Sequence, residues 1–237
     1  MTSRSRQFLA ATAVVLSALA LPAQAGPLAS PMRAAVIVAP SVTQAPAGLD
    51  GALLVELNRL RANPAAYADE LVAVAGHFDG TLLMRPGFAP VQTSEGVAPV
   101  IEAIALLRAT PPLPSLTAST ALALAADEHC RDQATGGGVG HRGRDGSNSF
   151  ARVSRYGRVG GLSGEVIDYG WSTAREIVMD LLIDDAVANR SHRRALLRPQ
   201  FTQAGAACGA HPRFGVMCTV EVAERFSPHD GVVAVSP

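Results

Sequence analysis

The chain has 237 residues, 48% of them hydrophobic, and its 20 basic and 20 acidic side chains give a formal charge of zero. That balance supplies no global attraction to nucleic acid or to an anionic membrane surface. The length is that of one domain able to bury its own core once a short leader is removed.

Arg4 and Arg6 precede an uncharged run from Phe8 to Leu21, and Ala23-Gln24-Ala25 supplies a small-x-small cleavage site. This is the pattern of a secretion signal over residues 1–25; its apolar run is shorter than the roughly 20 residues that cross a membrane. No later stretch is long and apolar enough to span a bilayer, so the mature protein is expected to be secreted or periplasmic, with no transmembrane span. Residues 26–48, rich in Ala, Pro, Ser and Val, read as a linker, residues 49–226 as the domain and 227–237 as a tail.

Asp50 is placed to cap a first helix carrying Leu53, Leu54, Leu57 and Leu60 at helical spacing. Asn63-Pro64 breaks and restarts it, Asn as cap and Pro in the first helical position, and Tyr67 and Leu71 continue the buried face. Residues 77–96 read as loop and 97–107 as a short helix stopped by Pro111-Pro112. Thr117 or Ser119 opens the next helix, with Leu122, Ala126, His129, Cys130 and Gln133 along one side and Gly136-Gly137-Gly138 at its end. Residues 139–164 read as a long irregular segment, a kind of loop that is often functional. Thr173 with Glu176 is a capping-box signature for a helix running to about Asp185. Residues 202–208 and 216–222 read as two strands, with Val216, Cys218, Val220 and Val222 forming the buried side. Helices around a small antiparallel sheet make the class α+β.

There is no HExxH, CxxC, phosphate-binding Gly loop or GxSxG elbow. Three polar residues stand out instead: His141 after a glycine run, Glu165 ahead of Val166-Ile167, and His192 ahead of an apolar stretch. Two imidazoles and a carboxylate suit a Zn²⁺ site that keeps an open position for water. Asp184 is a fourth candidate, because it shares a helix face with Ile177 and Leu181 in a last turn where the macrodipole disfavours an anion. Either it pairs with Arg190, Arg193 or Arg194, or it faces the same cleft as His192.

These stretches taken together resemble the CAP superfamily: cysteine-rich secretory proteins, venom antigen five and pathogenesis-related proteins of group one, in its bacterial secreted branch. The resemblance is carried by Leu57-Asn58-Arg59-Leu60-Arg61-Ala62-Asn63-Pro64, the Leu-x-x-Ala-Ala pattern from Leu122, Gly140-His141 and Gly164-Glu165. Ser191-His192-Arg193-Arg194-Ala195-Leu196-Leu197 and Gly205-Ala206-Ala207-Cys208 complete it. It implies an α-β-α sandwich with a central cleft. His141 and His192 would be the cleft histidines that hold a divalent metal, zinc or another cation, and Glu165 the first cleft acid, as ligand or in support of the ligands. Asp184 would be the second cleft acid, with Asp for the usual Glu, Leu181 where Trp is common and Val166 where Asn is common.

Of three cysteines, Cys208 and Cys218 flank the hairpin turn and are expected to pair in an exported protein, closing a loop worth about 2–3 kcal/mol. Cys130 is then a buried thiol, a small core residue rather than a nucleophile. Arg142, Arg144, Arg152, Arg155 and Arg158 read as a solvated loop face without the interleaved aromatics of nucleic-acid binding, and Trp171 as a core anchor. The resulting expectation is an extracellular binding or interaction module, for lipid or another apolar ligand, with a metal-capable His/Glu cleft. The alternative is a zinc-dependent hydrolase in which Glu165 and Asp184 are the catalytic candidates.

Overall fold

In the computed structural model, residues 45–232 are described; the expected signal over residues 1–25, most of the linker and the end of the tail lie outside them. Asn63 closes helix α1 (Leu49–Ala62) and opens α2 (Pro64–Ala75), where its side chain accepts from the Ala66 amide at 3.1 Å with Pro64 at the first position. Asp50 does not cap α1. Gly48 holds the cap position without a side-chain bond, and the Asp50 carboxylate instead accepts from the backbone N–H of Cys208. The segment after α2, expected as loop, forms a small antiparallel sheet of β1 (Phe78–Asp79), β2 (Leu82–Leu83) and β3 (Val91–Gln92). Helix α3 (Ala98–Ala109) follows, then β4 (Thr117–Ala118) and α4 (Thr120–Gly136). Ser119 caps α4, and Gly137 ends it in the left-handed conformation.

The segment from Val139, expected as irregular, contains a short helix α5 (Ser149–Val153) and the start of a 13-residue strand, β5 (Gly157–Tyr169). Helix α6 (Ala174–Ile183) begins at the expected capping box, Thr173 accepting from the Glu176 amide, and stops at Asp184. Then come α7 (Ser191–Leu196), β6 (Gln203–His211) and β7 (Gly215–Pro228). The main sheet has the order β4-β6-β7-β5, antiparallel except for the β4–β6 pair, so β5 is an edge strand. Cys208 stands opposite Cys218 in the β6–β7 register and the two form a disulfide, while Cys130 is a buried free thiol.

Burial on β7 differs from a one-sided hairpin: every residue from Val216 to Ala223 is buried. Val216, Cys218, Val220 and Val222 join the core formed with α1, α2, α3 and α6. Met217 and Ala223 pack on the other face, against Ala121, Leu122, Ala126 and Cys130 of α4. Sheet with helices on both faces is the α-β-α arrangement, and the class is α+β. The fit of α4 onto β6 requires Gly205, where an added Cβ would lie 2.1 Å from the Ala123 nitrogen.

Candidate functional site

Gly140 turns the chain out of α4 with φ of +85°, a conformation that favours glycine. Its N–H donates to the Tyr169 hydroxyl oxygen and its carbonyl accepts from Gln133, which itself accepts from the Tyr169 hydroxyl. His129, fully buried beneath, lies 2.9 Å from the same carbonyl, and burial lowers its pKa. The next residue, His141, is thereby aimed from a loop clamped at both polar groups of its neighbour.

His141 Nδ1 lies 2.8 Å from Glu165 Oε1, and Arg152 donates to Glu165 Oε2 at 2.6 Å. Arg152 also donates to the His141 carbonyl. Both Arg152 and Glu165 have side chains 2% exposed, so Arg152 is a buried positioning group and not part of a solvated loop face. Arg144 and Arg155 of that segment pair with Asp132 and Asp145 respectively. Burial opposes ionisation of Glu165, but the His141 hydrogen bond and the Arg152 charge outweigh it and hold the carboxyl below the usual range.

Glu221 stands opposite Glu165 in the β5–β7 register and is fully buried. Burial, then the charge of the neighbouring Glu165 carboxylate, push its pKa well above the ordinary 4.5. Ser149 donates to one of its oxygens. The pair is stable in so dry a place because Glu221 keeps its proton where Glu165 has lost one.

The second histidine is built from the opposite layer. Asp184 ends α6 with φ of +55°, and its chain direction sends the carboxylate forward rather than back along the helix. It accepts from the amides of His192 and Arg193 at 2.9 and 3.2 Å, in the first turn of α7, and lies 2.8 Å from His192 Nδ1. The Asp184 carboxylate is therefore spent on His192 and α7. Arg190 instead donates to the Asp184 backbone carbonyl and pairs with Glu95 and Glu102, and Arg193 donates to the Leu182, Ile183 and Pro99 carbonyls. Asp185 turns the other way, accepting from the amides of Ser94 and Glu95.

His141 and His192 thus each carry a buried carboxylate on Nδ1, and their ring centroids are 6.1 Å apart. With Nδ1–H donated to the carboxylate, the hydrogen-bond pattern assigns the lone pair of each ring to Nε2. A zinc–nitrogen bond is about 2.0–2.1 Å, which puts an imidazole centroid roughly 3 Å from a bound ion, so the rings would close from 6.1 Å to about 5 Å around one tetrahedral cation. The donor set fits as two neutral imidazoles with supporting carboxylates. Each oxygen of Glu165 already accepts a hydrogen bond, one from His141 and one from Arg152, which places the carboxylate in support of the ring. Among the described residues, no group of three or more His, Cys, Asp or Glu side chains converges as a metal cage.

The residues that complete this site and escape a reading of the sequence are Arg152, Glu221, Ser149 and the Gly140 clamp. Arg152 sits in an arginine-rich run and Glu221 in an apolar strand; only the Glu inside the Val220–Val222 stretch signals that something must accompany it. Trp171 is half-buried at the edge of the main core, with the Arg85 guanidinium over its ring and Phe88 edge-on.

The family model of the cysteine-rich secretory protein family, CAP, matches residues 101–222, just over half of the chain, and the protein belongs to that family. An outer surface protein from Borrelia burgdorferi is similar in structure, at 18% identity and a TM-score of 0.41 over 48% of this chain and 80% of that one. An extracellular SCP-domain protein from Bacillus anthracis str. Ames shows 20% identity and a TM-score of 0.39 over 54% of this chain and 38% of that one. No curated protein sequence matches significantly.

Proposed function

We propose that this protein acts outside the cytoplasm as a binding module whose cleft takes a divalent cation, zinc by preference, between His141 and His192. The export half of the reading rests on the leader pattern in residues 1–25; no helix among the described residues is long and apolar enough to cross a membrane. The observation that carries the site half is the pair of imidazoles, each fixed by a buried carboxylate on Nδ1, with centroids 6.1 Å apart. Carboxylate–histidine pairs orient a ring and raise its basicity toward a metal. A metal bound there would supply Lewis acidity at its open positions and a docking point for an oxygen or nitrogen of the ligand. The chain's own work is orientation: Gly140 and Arg152 fix His141, and Asp184 fixes His192.

A binding role is favoured over hydrolysis by the state of the two acids. A general base must reach a reacting proton within hydrogen-bond distance, and Glu165 and Asp184 are both engaged in holding the histidines in place. Calorimetric titration with zinc tests the site. Wild type should bind one equivalent and His192→Ala should lose most of that affinity; equal affinity in both removes the assignment.

A further inference from the structure

Next to the histidines, Glu165 and Ser191 help line an open hollow of about 260 Å³ between β5 and α7. Its shape comes from the edge strand. The β5–β7 register shifts between Gly160 and Ser163, so Gly161 and Leu162 fall outside the paired ladder. Glu165 forms one wall, but with its charge already met by Arg152 and His141 it does not make the hollow anionic. Across from it stand Arg194 and Arg198, with the ring of Phe201 as an apolar floor.

The two arginines are anomalous for their surroundings. Arg190 and Arg193, on the same segment, pair with Glu95 and Glu102. No acidic side chain pairs with Arg194 or Arg198 among the described residues. Arg198 is held over Phe201, its guanidinium carbon 5.7 Å from the ring centroid. Two like charges facing one concavity repel, and an anion between them turns that repulsion into attraction; guanidinium groups favour carboxylate and phosphate in forked geometry. The hollow is below the roughly 300–1,000 Å³ of sites that engulf a drug-sized ligand, so its occupant is small or a headgroup.

We infer that this hollow is an anion subsite, taking the carboxylate or phosphate of a small organic ligand between Arg194 and Arg198, with the ligand's apolar part on Phe201 and Leu162. The inference deepens the site reading above and rests on it, since Glu165 both lines the hollow and holds His141.

The test uses the full chain, titrated calorimetrically at low salt with hexanoate, with inorganic phosphate and with hexylamine as a cationic control. Hexanoate or phosphate should bind saturably, hexylamine should not, and Arg194→Gln/Arg198→Gln should weaken the anion about tenfold or more. Both arginines are exposed, so the double variant should keep the wild-type thermal midpoint. Binding of hexanoate alone assigns a carboxylate ligand, and of phosphate alone a phosphate ligand. No anion binding, or equal binding by wild type and variant, overturns the subsite. Parallel zinc titrations separate the two failures: zinc binding that persists without anion binding sinks the subsite only, whereas anion binding without zinc binding sinks the metal reading only.

Discussion

Asp184 shows how one side chain can serve structure and site together. Its carboxylate closes the first turn of α7 and orients His192, so its charge acts on both. Asp184→Asn keeps an acceptor oxygen but loses the charge that holds the ring through Nδ1, and zinc affinity should fall about 10–100-fold, read by calorimetry. A fall under twofold would mean that Asp184 serves α7 alone. Glu221 is read through pH. Because burial and Glu165 raise its pKa above 4.5, the folded state holds this proton more tightly than the unfolded chain. Stability from this group is therefore full below that value and lost as pH rises toward the folded pKa. Glu165, held low, works in the opposite sense, its contribution present at neutral pH and lost on acidification. Glu221→Gln removes the first effect, so its denaturant midpoint relative to wild type should improve as pH rises above 4.5; a flat difference would show that folding does not raise the pKa of this carboxyl. His141, Glu165 and His192 were legible in the sequence because each is polar beside glycine or apolar neighbours. Glu221 was hidden because its meaning depends on which residue faces it across two strands 56 positions apart in the chain.

At the scale of elements, Arg61 is the strongest tie between distant segments. Buried to 1% exposure at the end of α1, it donates to the carbonyls of Pro114, Leu196, Arg198 and Phe201, and so fixes α1 to the segments before β4 and around the end of α7. Arg61→Met would fill much of the volume but leave those carbonyls unpaired, and should cost about 3–5 kcal/mol in urea unfolding. A loss under about 1 kcal/mol would show that water replaces the guanidinium. The element reading from sequence succeeded where caps are explicit, at Asn63-Pro64, Ser119, Gly137 and Thr173, because those signals are local. It failed at β1, β2 and β3, which are two residues each, too short to show a period of two. It failed also at the start of β5, where Gly157, Gly160, Gly161 and Gly164 leave no side chains to alternate; pairing with β7 and not local preference makes that strand. The two-sided burial of β7 was likewise a property of the layers around it, not of its own pattern.

Taken whole, the molecule assembles its candidate centre from both sides of the sheet. The His141 arm depends on α4, α5 and the face of β5 and β7 that carries Glu165 and Glu221; the His192 arm depends on α6 and α7, which belong to the opposite layer. A cation held by both imidazoles would tie the two layers together, and because an unfolded chain does not preserve the pairing, its binding free energy adds to folding. At a free zinc concentration 100 times the dissociation constant, the gain is about 2.7 kcal/mol, which in a domain of this size moves the thermal midpoint by roughly 5–10 °C. Calorimetric scanning of wild type with and without zinc should show that rise. His141→Ala and His192→Ala should each abolish it, because one remaining imidazole can bind a cation weakly but can no longer connect the layers. If either single variant keeps the full rise, the cation sits elsewhere and the two arms of the cleft are held together by protein contacts alone.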